Sequence, residues 1–316
     1  MPADPPEISI IIVSFNTREL TLKCLAHVQA DSAGINAEVI VVDNASTDGS
    51  SAAIRSAYPE AAVIDAGRNL GFAGGNNVGM AHAKGEFFLL LNSDAFLHPG
   101  AIQAMTDYLR AHSTTALVGP RLLNADGTLQ LSCYRFPSPA RAWAENLWLP
   151  RLFPPAHFLS DYRRWPHDRE MNVDWVIGAC FMVRRNVYET LGGFDERFFM
   201  YAEETDWQQR MRQGGWQIGF TPAALVTHLG GASGANHVQK INAHFFDSLD
   251  FYQLKHHGIP GLIMVRLAMI VGGIPRLAGW SIFLAFSPAR RAVAKAKVRL
   301  LSWLLLRQLT HWEIVT

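Results

Sequence analysis

Three carboxylates, Glu203, Glu204 and Asp206, fall within four positions in the stretch YAEETDW (201–207), directly after the apolar run Phe198, Phe199, Met200. A carboxylate held against apolar surface is a candidate general base, because desolvation raises its pKa toward that of the proton it must take. On a helix successive residues point about 100° apart, so Glu203 and Glu204 cannot both face one reacting atom. One of them is the base candidate. The other is left to hydrogen-bond backbone or cap the helix, and Asp206, roughly opposite Glu204, to stabilise the helix start.

Other residues that could do chemistry stand at the ends of apolar runs. VVDNASTDGS (41–50) ends its run at Asp43, where a carboxylate can accept a hydrogen bond from a nucleobase imide N–H. The same residues also suit a strand-to-helix loop capped by Ser46 or Asp48. RNLGFAGGNNVG (68–79) sets Gly71, Gly74, Gly75 and Gly79 at a helix start, so that backbone can approach a ligand and the N-terminus can attract phosphate. It is neither a dinucleotide fingerprint nor a Walker loop. LLLNSDAFLHPG (89–100) places Asp94 two residues after Asn92, where a hard divalent cation bridging two phosphates wants carboxylate oxygen. His228, in THLGGAS (227–233), gains weight as a metal ligand only if it meets Asp94.

The elements that must position these groups follow from hydrophobic patterning. Apolar runs at 8–15, 37–44, 61–67 and 85–94 predict strands buried on both faces, and 17–28 has helical spacing at Leu20, Cys24 and Val28. This alternation predicts an α/β doubly wound unit with a parallel sheet and a ligand beyond the carboxyl ends of its strands. Ser14 and Asn16, Asp43 and Asn44, and Asn92, Ser93 and Asp94 collect at three such ends. Residues 115–175, rich in Pro, Trp and Arg, predict an irregular insertion. Beyond it come a strand-like run with a Gly bend (173–185), a helix (203–212) and two short strands broken at Pro222 (216–231).

With 316 residues, 49% of them hydrophobic, the chain can bury a full core. Cys24, Cys133 and Cys180 show neither disulfide nor zinc spacing, so a reducing cytosolic setting is expected. MPADPPEISIIIVSF lacks a basic leader region and reads as a buried strand rather than a signal peptide. The net charge of +1 hides an asymmetry. From residue 251 onward nine basic residues face one acid, Glu313, a net +8 that leaves −7 for the first 250. A body (1–250) and a basic, hydrophobic helical tail (251–316) are therefore expected. Arg266 and Arg276 interrupt the tail's apolar stretches, which favours a helix lying in a membrane interface over a clean span. The stretch 287–312 reads as a basic amphipathic helix with Trp303 and Trp312 at headgroup level. A dimerising helical pair is the alternative.

In this order, IIIVSFN, VVDNASTDGS, RNLGFAGGNN, LLLNSDAF, WVIGACFMVRR, GGFDERFFMYAEETDWQQR and VTHLGG resemble the inverting, nucleotide-sugar-dependent glycosyltransferases of family 2, in their rhamnosyltransferase-like branch. The resemblance runs from about Ile8 to Ser233 and implies the GT-A fold. It also implies a donor site of Ser14, Asn16, Asp43, Asn69, Gly71, Asn77, Asn92, Ser93 and Asp94. Within that set the Asp43 position contacts the nucleobase, and the reduced DxD-type motif at Asn92, Ser93, Asp94 binds a divalent cation, Mg2+ or Mn2+, with His228. Glu204 matches the family's base, and Trp175, Gly178 and Glu203 would line the acceptor side or support it. The activity implied is transfer from a dTDP- or UDP-sugar, with L-rhamnose as the sugar the branch suggests, to a polyprenyl-linked or growing glycan. The protein would then work in the cytoplasm against the inner face of the membrane, with nucleic acid not among its partners. Only Asp94 is acidic in the metal motif and Glu204 stands where the family has Asp. These departures favour the rival reading, a catalytically inactive GT-A domain that binds nucleotide or glycan in a membrane-associated assembly.

Overall fold

Runs of apolar residues without polar alternation form strands covered on both faces. β1 (Ile8–Ser14), β2 (Ala37–Asp43), β3 (Ala62–Asp65) and β4 (Phe87–Asn92) are such runs, joined by α1 (Arg18–Asp31), α2 (Ser50–Ala57) and α3 (Gly71–His82). β5 (Ala95–Leu97), α4 (Ala101–Ala111), β6 (Thr115–Leu123), β7 (Leu129–Gln130), β8 (Cys133–Tyr134) and α5 (Pro139–Asn146) follow. Next come β9 (Met171–Val173), β10 (Trp175–Val176), β11 (Cys180–Arg184), α6 (Arg185–Leu191), α7 (Glu203–Gln213) and β12 (Gln217–His228), and last the helices α8 (Val238–Phe286) and α9 (Arg291–Thr310). This computed structural model describes residues 5–149, 165–230 and 238–311, the last with side chains from 244 onward. Trp312, Glu313 and the 231–233 end of the His228 motif lie outside the described residues.

The chain divides into two units, Met1–Phe136 with Tyr162–Ser248, and Pro137–Asp161 with Leu249–Thr316. In the first, among the described residues, the main sheet has the order β3-β2-β1-β4-β11-β6-β12-β5, with β7 on β6 and β9 on β12. β1 runs parallel to both β2 and β4, with Ser14 opposite Asp43 and Val13 opposite Asn92. That register brings the three polar strand ends onto one edge. Alternate residues feed opposite faces: Phe87, Leu89 and Leu91 pack with Cys24, Leu25, Ile102 and Met105, while Phe88 and Leu90 pack with Met80, Val187, Trp207 and Met211. Burying each such side chain contributes about 1.5–3 kcal/mol.

The first four strands pair in parallel as expected, and β11 extends them antiparallel between β4 and β6. Two sequence expectations are corrected. The irregular insertion does not begin at 115, because Thr115–Leu123 is a buried strand inside the sheet. Residues 217–228 form one strand rather than two, with a register shift between Thr221 and Leu225 that accommodates Pro222.

In the second unit Gly258 (φ 66°, ψ −174°) breaks α8, in a conformation that side chains disfavour. Pro260 follows in the first turn of the next arm, where its missing N–H is tolerated. Asp250 and Arg266 are sixteen residues apart, about 24 Å along an unbroken helix. Their side chains nevertheless pair at 2.8 Å, so the two arms fold back on one another. Arg307 of α9 pairs with the same carboxylate oxygen at 2.8 Å.

Candidate active site

The edge where β1, β2 and β4 end carries the donor-side candidates. Asp43 is buried and accepts from the Ser46 N–H through Oδ2 at 3.0 Å, which leaves Oδ1 buried without a partner. Asn44, also buried, donates to the Gly71 carbonyl and keeps its own Oδ1 unpartnered. Two such acceptors facing no donor are costly unless a ligand supplies one. Asn16 (φ 52°) accepts from the Thr47 N–H through Oδ1 and donates its own N–H to Ser46 Oγ, tying the first loop to the second. Ser14 and Ser93 join a hydroxyl chain through Thr17 and Thr21. These hydroxyls hold the strand ends together.

The glycine-rich turn is set by its neighbours. Asn69 accepts from the Gly71 N–H at 2.9 Å, and a side chain at Gly71 (φ 72°) would run into the Phe199 carbonyl. The Phe72 N–H donates to that same carbonyl, so this turn also locates the approach to α7. Asn77 is engaged elsewhere. Its amide donates to the Phe194 carbonyl and Glu196 and accepts from the Phe194 N–H.

Asp94 and His228 meet, as the ligand reading of His228 requires. Asp94 Oδ1 lies 3.4 Å from His228 Nε2, and both side chains are largely buried. His228 Nδ1 sits 2.8 Å from Gln130 Oε1, an acceptor, so Nδ1 carries the proton and a neutral ring turns its Nε2 lone pair toward Asp94. Gln130 is fixed in that orientation by donating to Asn124 and to the His228 carbonyl. A carboxylate oxygen and an imidazole lone pair facing each other fit a divalent cation between them. Asn92 approaches the same Nε2 through its amide nitrogen at 3.5 Å. Among the described residues no three His, Cys, Asp or Glu side chains are placed to hold one metal ion, so a cation here would need further oxygens from its substrate.

The acidic cluster begins α7. Two residues with left-handed backbone, Tyr201 (φ 70°) and Ala202 (φ 66°), turn the chain into that helix. Glu203 is buried and Glu204 half-buried, and each has its Oε2 buried without a partner. Burial pushes both carboxyls up, and the charge of Glu204 beside it pushes Glu203 up as well. Backbone N–H groups, that of Gly178 among them, partly offset the rise at Glu204. Asp206, fully buried, pairs at 3.0 Å with Arg210, whose other nitrogens donate to the carbonyls of Leu191 and Gly193.

The short segment after β10 joins Glu204 to the edge at Asn92. The Gly178 N–H donates to Glu204 Oε1 at 3.4 Å, and the Ala179 carbonyl accepts from the Asn92 N–H at 2.9 Å. A side chain at Gly178 would crowd the Phe72 ring. Trp175 anchors the near end, stacking on Tyr134 with centroids 4.9 Å apart and donating its indole N–H to the Arg135 carbonyl. Sequence reasoning missed Gln208, which is fully buried and grips both backbone groups of Val176 at 2.8 Å while donating to the Glu204 carbonyl. Its spacing of four from Glu204 was the available signal, since i and i+4 share a helix face. Gln130 gave none, lying 98 positions from His228.

Residues 9–192 match the family model described as Glycosyl transferase family 2. The chain is similar to an N-acetylglucosaminyl-diphospho-decaprenol L-rhamnosyltransferase of Mycobacterium tuberculosis, 30% identical over 233 residues that cover 70% of this chain and 76% of the relative. It is similar also to a low-salt glycan biosynthesis hexosyltransferase of Haloferax volcanii, 30% identical across 67% of this chain and 64% of that one. In fold it is like a mannosyltransferase from Pyrobaculum calidifontis solved with GDP-Man and Mn2+, with a TM-score of 0.59 at 18% identity over 99% of this chain and 89% of that chain.

Two outcomes follow from this geometry. Gln208→Met, which keeps volume but drops both bonds to Val176, should cut any turnover the site supports by about tenfold or more with donor KM nearly unchanged. An equal loss in both constants, or none, would make Gln208 structural only. Glu203→Gln should raise Tm, because a carboxyl with a raised folded pKa loses stability as pH climbs from about 4.3 toward its folded value. That gain should be largest near pH 8 and vanish near pH 4 in scanning calorimetry.

Proposed function

The chain belongs to glycosyl transferase family 2 and is a glycosyltransferase, and we propose that it inverts the anomeric centre of a nucleotide-sugar while passing the sugar to a lipid-linked or growing glycan. The observation that carries this reading is Glu204, a carboxylate in the first turn of α7 with one oxygen held by the Gly178 N–H and the other dry and unpartnered. An acceptor hydroxyl placed at that free oxygen gives up its proton to Glu204 as its own oxygen bonds to the anomeric carbon. The bond from that carbon to the diphosphate breaks in the same step, and the nucleoside diphosphate leaves with the electron pair. One carboxylate base suffices for such a displacement, with no covalent intermediate. The departure of Glu204 from the family's Asp lengthens the side chain by one methylene without removing the base.

Asp43 Oδ1 favours a base that offers an imide N–H, as uracil and thymine do, which supports a UDP- or dTDP-sugar donor. Asp94 and His228 would hold a divalent cation, Mg2+ or Mn2+, which when bound supplies positive charge for the departing diphosphate. L-rhamnose is the sugar that the mycobacterial relative's name supports, and that name likewise supports a diphospho-polyprenol-linked acceptor.

Glu204→Gln should bind the nucleotide-sugar as wild type does and lose turnover by at least about a hundredfold, the scale of a removed general base. Calorimetry with dTDP, UDP and GDP sugars, followed by turnover with and without EDTA, measures both. Undiminished turnover in the variant would remove Glu204 as base, and undiminished turnover in EDTA would remove the cation from Asp94 and His228.

A further inference from the structure

The helical unit has its polarity reversed. Arg266 and Arg307 are 3% and 7% exposed and share Asp250, with Gln253 and Gln308 also buried. Leu262, Val265 and Ala268 are buried beside them, but many of the unit's large apolar side chains lie outside: Ile274 is 56% exposed, Leu306 59% and Phe286 83%. In a water-soluble helical unit the buried charges are costly and the exposed leucines and isoleucines contribute nothing. The same distribution is favourable in lipid, where ionisable groups turn inward and pair while apolar side chains face acyl chains.

The exposed positions follow helical stripes. On α8 beyond Gly258, Ile263, Leu267, Val271 and Ile274 recur at spacings of four, four and three, which is one face of a helix. The helical stretch His244–Phe286, which includes the Gly258 break, is long and apolar enough to cross a membrane by length and composition, but Arg266 and Arg276 fall within it. On α9 the first half carries exposed Arg291, Lys295, Lys297 and Arg299, and the second half exposes Trp303, Leu306 and Leu309. No acid stands between 251 and 311 in the sequence to oppose those cations.

We infer that this unit docks on a leaflet rich in anionic lipid, its apolar stripes in the interface and its α9 cations on phosphate headgroups, with the Asp250 carboxylate cross-linking both helices from inside. Occupation by lipid accounts for both the apolar stripe and the positive charge, which a second copy bearing the same charge does not. The inference deepens the membrane element of the proposed function, but it rests on the polarity of this unit and needs no donor, acceptor or turnover to be tested.

Flotation of the full chain with phosphatidylcholine vesicles, with and without about one third phosphatidylglycerol, reads it directly. The chain should float with the anionic vesicles, at least about tenfold better than with neutral ones. Lys295→Gln and Lys297→Gln should each weaken binding by about fivefold, the equivalent of roughly 1 kcal/mol per cation at a surface. Leu267→Glu with Ile274→Glu, both exposed positions, should abolish flotation while leaving the circular dichroism spectrum unchanged. A wild-type chain that stays at the bottom with anionic vesicles would overturn the inference. So would flotation indifferent to these substitutions, or a stable dimer broken by the double variant without vesicle binding.

Discussion

The site depends on one backbone segment, Val176–Ala179, whose every link is a hydrogen bond to something remote in sequence. Gln208 fixes Val176 by both its N–H and its carbonyl, Ser132 accepts from the Ile177 N–H, Glu204 accepts from Gly178, and Ala179 receives Asn92. The segment therefore sets the base and the Asn92–Asp94 edge in a common frame. If Glu204 and that edge serve one reaction, this short run of backbone sets their relative position. Both Gln208 contacts to Val176 would be lost by a single side-chain change, which makes this frame fragile at one point and rigid elsewhere.

The frame carries a cost in stability that falls on the functional residues themselves. Among the described residues four of the five non-glycine positions with positive φ lie in the loops of the site, at Asn16, Ala45, Tyr201 and Ala202. Such conformations cost on the order of 1–3 kcal/mol each and persist where surroundings over-determine them. Glu203 and Glu204 add a second cost, since their burial disfavours the charged forms. The helix N-terminus and the Gly178 N–H offset part of it at Glu204, the residue that has to ionise. The two adjacent carboxyls thus share the cost of burial, and backbone N–H groups ease it at Glu204.

Much of this was legible in the sequence, for physical reasons. β1, β2 and β4 are buried on both faces, so their uninterrupted apolar runs announced them, and the polar residues closing each run marked the edge. β6 was missed because TALVGPRLL contains a Gly-Pro pair that reads as a break. Its pairing with β11 involves only Leu117 and Val118, so Pro120 is not asked for an N–H on that side. The contact of Asp94 with His228 could be posed as a condition but not resolved, since the antiparallel pairing that aligns His228 with Ala95 spans 133 positions. Gln208 and Gln130 act through backbone and ring atoms far along the chain, and nothing in local composition marks them. The reversed polarity of the helical unit was half visible, because a tail charge of +8 is countable while the burial of Arg266 and Arg307 is not.

Under the proposed mechanism a single carboxylate, Glu204, serves one displacement at the anomeric carbon. The stereochemistry of the product is therefore the most direct test of the account. The measurement is the one-bond C1–H1 coupling of the newly linked sugar by NMR, compared with that of the nucleotide-sugar donor. Opposite anomeric configurations in donor and product are what the geometry around Glu204 predicts. Retention of the donor's configuration would contradict it.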